Sequence, residues 1–410
     1  MSLADKIKGK TPNDLKREGP IWRGPQEDGI TFSLLSRFLV CRERFRILVC
    51  EGLKPVERFN HRIEYGNMWH TCEEVYKETK NVAVRGGHST HWETALHRYC
   101  ISLAQKYPTD QSQISQWYNV CRVQFPLYLQ HWQQYSAQKV KNLFTEETFC
   151  VFYDLPSGRT VKLRGKFDSV DICGKGKKTF LSIQENKTKG DINEVDLRRQ
   201  VTYDLQTMMY ITALQEVKKQ WADLKNESDR KMLGVPSVRK LPVSQIVYNV
   251  VRRPLSGGKH TIRKHKPTKS NPTGESDQEF YNRLSERIKE DPEFFFFRLT
   301  IEISQEDVER FRRRTLNPIL EQLCNWWEWV KNCNGDPFNP DLSFESVQKG
   351  KSPTRVYDHK LHFQFPYGVY NPMLEGGYSD VDDYIREGLT TGLRRVDDLF
   401  PELKERLWPT

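Results

Sequence analysis

The sequence predicts an α/β protein whose core is a mixed central β-sheet flanked by helices. Segments 148–155, 160–172, 179–187 and 243–253 have the apolar patterns and lengths of strands. Apolar residues recur with helical spacing before the first strand, and they do so again between the third strand and the fourth. The elements therefore follow the order helix, three strands, helix, strand (αβββαβ).

Length and composition describe a globular chain with a basic balance. The 410 residues include 37% hydrophobic and 29% charged residues, and the formal net charge is +10. Such an excess favours a polyanionic partner. No apolar run approaches the length of a membrane span and the N-terminus is polar, so we expect no membrane partner and a cytoplasmic location, in the host cytoplasm if the gene is phage-encoded. Nine cysteines without a Cys-x-x-Cys pair indicate reduced thiols.

Three charged residues fall on two consecutive predicted strands. Asp168 lies near the end of the run 160–172, and a Gly/Lys-rich turn separates this run from Glu185 and Lys187. Residues two apart on a strand project from the same face, so Glu185 and Lys187 project together. Pairing of the two strands as a hairpin would bring Asp168 to them.

Two carboxylates and one ammonium on one face suit a divalent cation. Mg²⁺ binds carboxylates together with phosphate oxygens, and Lys187 would then orient a water or stabilise charge at phosphorus. This is the chemistry of metal-dependent phosphodiester hydrolysis. An acid-x-Lys triplet alone is weak evidence, because seven others occur in the chain. The alternative is a solvated hairpin face with a surface ion pair.

The arrangement resembles the PD-(D/E)XK nuclease superfamily, which has an acid on one strand and (D/E)-x-K on the next. Phe167 stands where that signature has proline. The resemblance implies a restriction-endonuclease-like fold. It also implies that Asp168 and Glu185 bind one or two ions, Mg²⁺ or Mn²⁺, with the backbone carbonyl of Asn186 as a further ligand and Lys187 as a catalytic residue.

Two further motifs are similar to those of the RecB-like exonuclease branch. The first motif is Gly66-x-x-x-His70, whose histidine is a metal ligand in that branch. The alternative is that His70 is a structural hydrogen-bonding residue, as a lone histidine on a helix usually is. Imidazole suits Mn²⁺ better than Mg²⁺. Gln206-x-x-x-Tyr210 follows the Glu-x-Lys strand, and by resemblance its two side chains have catalytic positions beside the site or the DNA backbone.

Basic residues on two predicted helices are candidates for DNA contact. A helix capped by Ser33 has apolar Leu35, Phe38, Leu39 and Phe45 with Arg37 between them, and its pattern resembles the entry segment of the RecB-like branch. The run 194–220 predicts one long helix with a stripe of Arg199, Tyr203, Gln206 and Tyr210. We expect Ser33, Arg37 and Arg199 to contact phosphates; the alternative is a solvated face.

The remaining segments complete the organisation. Aromatic residues at helical spacing in 88–141 favour core packing over base stacking. The basic loop 254–278 is either a DNA-binding flap or a plain connection. The predicted segments are a flexible basic N-terminal segment (1–28), N-terminal helices of the nuclease core (29–87), a helical insertion (88–144), the core sheet with the Gln-x-x-x-Tyr helix (145–304) and a helical C-terminal extension (305–410).

An iron–sulfur cluster is not expected. A branch of the family holds one with one early cysteine and three late ones, whereas only Cys41 occupies the early place and only Cys324 and Cys333 occur late. Four thiolates are needed.

The sequence thus predicts a metal-dependent deoxyribonuclease, an exonuclease in recombination, repair or phage-type DNA processing. The alternatives are a structure-selective endonuclease or junction resolvase, and a non-catalytic DNA-binding scaffold with a nuclease fold. DNA is the expected partner, and a helicase, recombinase or single-strand-binding protein is a further candidate. No phosphate-binding loop of a helicase motor occurs in the sequence.

Overall fold

A computed structural model describes residues 20–40, 42–83, 91–133, 141–202, 204–220, 238–269, 271–332, 393–396 and 398–403. The chain forms two compact units. The first takes its described residues from Met1–Glu57, Phe149–Gly165 and Glu309–Lys404, and the second takes them from Arg58–Thr148 and Lys166–Val308.

The described strands are β1 (Leu53–Pro55), β2 (Lys141–Asp154), β3 (Thr160–Cys173), β4 (Phe180–Lys189), β5 (Val243–Arg252), β6 (Phe296–Glu302) and β7 (Leu393–Arg395). The described α-helices are α1 (Phe32–Val40), α2 (Arg42–Phe45), α3 (His61–Ala83), α4 (Trp92–Lys106), α5 (Gln111–Gln133), α6 (Glu194–Thr202), α7 (Leu205–Gln220), α8 (Asp277–Glu290), α9 (Pro292–Phe295), α10 (Gln305–Phe311) and α11 (Asn317–Asn332). Single π-helical turns follow α2 at Arg46–Cys50 and α10 at Arg312–Leu316.

The central sheet is mixed, as the sequence predicts. Five strands lie in the order β2-β3-β4-β5-β6. The pairs β3–β4 and β5–β6 are antiparallel, whereas β4–β5 is parallel. A parallel pair needs a long crossover connection, and helices α6 and α7 lie in that connection. The predicted αβββαβ order, the helical insertion and the helices after the sheet are confirmed.

Aromatic side chains form the core of the second unit. Helices α3, α4 and α5 pack together with residues of β5, α8 and β6 in one buried cluster. Trp69 is fully buried and meets the rings of Phe125 and Tyr128 edge-on, with centroids 5.2 and 5.1 Å away. The predicted core packing of the aromatic-rich insertion is therefore confirmed for the residues of this cluster.

The cap of helix α1 differs from the prediction. The Thr31 hydroxyl, not Ser33, accepts the Leu34 N–H at 3.3 Å, and the helix begins at Phe32. Ser33 and Arg37 lie inside the helix and are exposed. Of the apolar residues in this helix, Leu35 and Phe38 are buried, whereas Leu39 is 43% exposed.

The predicted long helix 194–220 is two helices, so the single four-residue stripe is wrong. Helix α6 ends at Thr202 and α7 begins at Leu205. Asp204 accepts hydrogen bonds from the Thr207 N–H, at 3.1 Å, and from the Thr207 hydroxyl, as an N-cap does. Arg199 is exposed on α6, and Tyr203 lies outside the described residues.

Strand β2 begins at Lys141 rather than at the predicted Thr148. Its first seven residues, 141–147, have two adjacent apolar residues between polar ones and therefore lack the alternation that marks a strand in a sequence. Within the described parts of the chain, no helix has the length and apolar character needed to span a membrane.

We predict that Leu96→Ala in α4 destabilises the protein and that Ile101→Ala on the same helix does not. Leu96 is fully buried in the aromatic cluster, whereas Ile101 is 46% exposed. A buried Leu→Ala change costs about 2–5 kcal/mol, and a surface change costs about 0.5 kcal/mol or less. Urea unfolding followed by circular dichroism measures both. Equal midpoints for the two variants would contradict the described packing.

Candidate metal-binding and catalytic site

The site begins where strands β3 and β4 stop pairing. Their antiparallel register runs from Cys173↔Phe180 to Ser169↔Gln184. At the next position Oδ2 of Asp168 accepts the backbone N–H of Asn186 at 2.7 Å. The carboxylate thus takes the place of a main-chain partner, and its other oxygen remains available for the site.

Glu185, Lys187 and Gln206 form a closed triangle beside Asp168. Oε1 of Glu185 accepts from the Lys187 ammonium and from Gln206 Nε2, the latter at 2.7 Å. Lys187 Nζ also donates to Gln206 Oε1 at 3.2 Å. Strand β4 therefore supplies the acid and the amine, and helix α7 supplies the amide that holds both.

Burial and neighbouring charge shift the pKa values of this cluster. Burial raises the pKa of Glu185 to about 7, and the adjacent Asp168 carboxylate adds to the effect. Burial also raises the pKa of Asp168, against the influence of His70. For Lys187, burial acts to lower the pKa, but Glu185 and Asp168 outweigh it and the net shift is upward. Additional positive charge would stabilise the ionised carboxylates.

His70 reaches the same place from helix α3. Its Nδ1 lies 2.8 Å from Oε1 of Glu146 and 3.8 Å from Oδ1 of Asp168. Gly66, one turn earlier, lies against β4: a Cβ there would be 3.4 Å from Thr188 Oγ1. Helix α3 therefore runs close to the strand one turn before His70.

Glu146 on strand β2 is a site residue that the sequence analysis missed. One ligand atom each from His70, Glu146 and Asp168 lies within 4.8 Å of the others. The Glu146 side chain is 3% exposed, and its Oε2 pairs with Lys166 Nζ at 2.6 Å. Its φ of 51° is unusual for a non-glycine residue, and such strain concentrates at functional sites. No motif marks this glutamate in the sequence.

The other predicted residues have different surroundings. The Asn186 side chain joins a buried network away from the acids: its Oδ1 accepts from Gln184 and Asn249, at 2.8 Å each. The ring of Tyr210 meets Phe167, the neighbour of Asp168, edge-on with centroids 5.9 Å apart. The Asn186 carbonyl as a ligand stays a prediction. So do the DNA contacts of Ser33 and Arg37, which belong to the first unit, and of Arg199.

Hard oxygen donors, one imidazole and one lysine lie together where β3 and β4 stop pairing. This set defines an α/β protein with a candidate metal site of the nuclease type. The model of the PD-(D/E)XK nuclease superfamily matches residues 30–326, most of the chain, and the protein belongs to this superfamily. The mixed sheet agrees with the restriction-endonuclease-like fold. No curated protein matches the chain.

The prediction about an iron–sulfur cluster stays a prediction. Cys324 is buried in α11, and the other two cysteines it concerns, Cys41 and Cys333, lie outside the described residues.

We predict that Glu146→Gln weakens Mn²⁺ binding at least tenfold, whereas Glu147→Gln leaves it within about twofold. The first change removes an anionic oxygen from the cluster, and the second removes the same charge from the neighbouring, exposed position. Isothermal titration calorimetry with Mn²⁺ measures both. Equal affinities for the two variants would show that Glu146 is not a ligand.

Proposed function

We propose that this protein is a metal-dependent deoxyribonuclease, and more specifically an exonuclease of the RecB-like branch. The observation that carries the proposal is the meeting of His70, Glu146 and Asp168 beside the Glu185–Lys187 pair. These groups come from four elements, α3, β2, β3 and β4, and a surface ion pair would not require this convergence. The ordered Gly66-x-x-x-His70 and Gln206-x-x-x-Tyr210 motifs support the branch.

The donor set fits Mg²⁺ or Mn²⁺. In the proposal His70, Glu146, Asp168 and Glu185 hold one or two ions, with the Asn186 carbonyl as a further ligand. A bound ion supplies positive charge that polarises the phosphodiester. The imidazole shifts the preference toward Mn²⁺. Buried carboxylates whose pKa values are raised favour a cation at this place.

Lys187 acts on the reacting phosphate as an ammonium. Both atoms that its Nζ contacts, Oε1 of Glu185 and Oε1 of Gln206, are acceptors, so the nitrogen donates to both. Held in this way, the charge stabilises the negative charge that develops at phosphorus, or it orients the attacking water. Gln206 positions the lysine and the glutamate together.

The remaining roles follow from the placements already described. Tyr210 packs against Phe167 and so supports β3, which carries Asp168. By resemblance to the RecB-like branch, Tyr210 also positions the DNA strand that is cut. Ser33, Arg37 and Arg199 are exposed and are proposed to contact DNA phosphates. The proposed process is recombination, repair or phage-type DNA processing in the cytoplasm, and the proposed partner is a helicase, recombinase or single-strand-binding protein.

We predict that Lys187→Ala and Asp168→Ala each reduce DNA cleavage at least a hundredfold while the protein stays folded. Removing one preorganised charge from a transition state costs about 10²–10³ in rate. End-labelled linear DNA with Mg²⁺ or Mn²⁺ is the assay. Lys178→Ala, in the exposed turn before β4, is the matched control and should cleave like the wild type.

Two outcomes would overturn the catalytic assignment. One is wild-type cleavage by either active-site variant. The other is a wild-type protein that binds DNA but neither Mn²⁺ nor Mg²⁺ and cleaves nothing, because this is the behaviour expected of the non-catalytic scaffold.

We predict that the enzyme degrades linear DNA and leaves covalently closed circular DNA intact. An exonuclease needs a free end, whereas a structure-selective endonuclease or resolvase cuts circles and four-way junctions. Gel analysis of circular, linear and junction substrates with each metal separates the two classes. Linearisation of the circle, absent in Lys187→Ala, would replace the exonuclease assignment by an endonuclease.

A further inference from the structure

The chain between β5 and α8 carries a concentrated positive charge. Residues 253–274, here called the basic arm, include six lysines and arginines and no aspartate or glutamate. Positions 263–269 are all exposed, and four of the seven are lysine or arginine. The sequence pattern alone leaves open whether this segment binds DNA or only connects two elements.

Hydrogen bonds hold the described residues of the basic arm around His265. The Glu275 carboxylate accepts the His265 N–H at 2.8 Å, and the Glu275 N–H donates to the His265 carbonyl at 3.2 Å. The same carboxylate receives two hydrogen bonds from Arg283 of α8, each 2.7 Å long. Ile262 packs against the aromatic core cluster. The exposed cations are therefore presented from an ordered scaffold, which lowers the entropy lost on binding.

The basic arm follows β5 and starts beside the C-terminal end of β4, the strand that carries Lys187. The Arg253 N–H donates to the Lys189 carbonyl at 2.7 Å, and Arg253 Nη1 donates to the Thr188 carbonyl at 2.7 Å. Gly257 approaches Gly190 so closely that a Cβ at Gly257 would lie 1.9 Å from the Gly190 oxygen. Two residues of strand, about 7 Å, separate Lys187 from Lys189.

Helix α3 connects the same cations to the metal site. Arg62, Gly66 and His70 lie at i, i+4 and i+8, on one face of the helix. Arg62 lies near Arg253: burial first, and then the charge of Arg62, lower the pKa of Arg253. Neither side chain forms an ion pair with a carboxylate in the described part of the chain.

We propose that Arg62, Arg253 and the basic arm bind the backbone phosphates of the DNA strand that enters the metal site. The proposal rests on the proposed nuclease function. Eight helical residues from His70 to Arg62 span about 12 Å, which corresponds to roughly three or four nucleotides of one strand. Lys264 of the basic arm is paired with Asp277 at 2.7 Å, whereas Arg62 and Arg253 are like charges with no carboxylate partner among the described residues, so these two gain most from a polyanion.

The test is DNA binding in EDTA, where cleavage cannot occur. The variant Arg62→Gln/Lys266→Gln/Lys269→Gln removes three exposed cations of this surface. Fluorescence anisotropy with a short labelled duplex or single strand gives affinity between about 50 and 200 mM salt. We expect affinity to fall about tenfold or more and the salt slope to decrease by about 2–3, because each phosphate contact contributes about 0.9.

Two controls separate a specific surface from a general charge effect. Lys175→Gln/Lys177→Gln/Lys178→Gln removes the same charge from the exposed turn at the opposite end of β4, and we expect affinity within twofold of the wild type. Arg62→Lys/Lys266→Arg/Lys269→Arg keeps the charge, and we expect it to retain DNA binding. Mn²⁺ titration of all three variants should give the wild-type affinity.

The outcomes also distinguish this proposal from the nuclease assignment. The proposed surface would be overturned if the Arg62/Lys266/Lys269 glutamine variant kept its DNA affinity, or if the Lys175/Lys177/Lys178 variant lost as much. Cleavage by the wild type, and its loss in Lys187→Ala, would be unaffected by either result. A wild-type protein that binds no DNA at any salt concentration would overturn both. In the cleavage assay, the Arg62/Lys266/Lys269 glutamine variant should have a higher KM for DNA and a kcat within about twofold of the wild type.

Discussion

The hydrogen bond from the Asn186 N–H to the Asp168 carboxylate is the contact on which the candidate site depends. Two antiparallel strands separate at this point, and a side chain replaces the main-chain acceptor that the separation removes. Since β4 pairs with β5 along its other edge from Leu181 to Lys189, the strand stays in the sheet while its first edge opens. A charged group can therefore lie at the centre of a sheet without leaving an unsatisfied backbone amide.

The side chains on the two faces of β4 have different roles: one face packs against the core, and the other belongs to the candidate site. On one face, Asn186 bonds to Gln184 and Asn249, and Asn249 in turn donates to Tyr128 of the helical insertion. This satisfied network fixes the strand against the aromatic core. Glu185 and Lys187 alternate to the other face, where burial works against charge and His70 and the lysine work in its favour. The hydrogen-bonded network on the first face fixes the position of the strand. Glu185 and Lys187 are therefore held together on the second face, although burial opposes the charge of each.

Much of this arrangement could be predicted from the sequence, because it depends on local patterns. Strand alternation, the Gly/Lys turn and the Glu-x-Lys spacing are enough to identify Asp168, Glu185 and Lys187 as candidate site residues. Glu146 could not be found in this way: it lies in a polar run without alternation, at a positive φ that only tertiary contacts hold. The Thr31 cap was missed for a smaller reason, a shift in where the first helix begins.

The break between α6 and α7 was also missed, and it matters more because it sets the position of Gln206. Asp204 ends the connection by bonding to Thr207 and to the hydroxyl of Tyr248 on β5. In the parallel register, Tyr248 lies opposite Glu185. The N-terminus of α7 is thus fixed to the sheet one strand away from the acid, so Gln206 can reach both Glu185 and Lys187. A continuous helix would lack this cap, so helical periodicity predicted the residue but not the constraint that makes it effective.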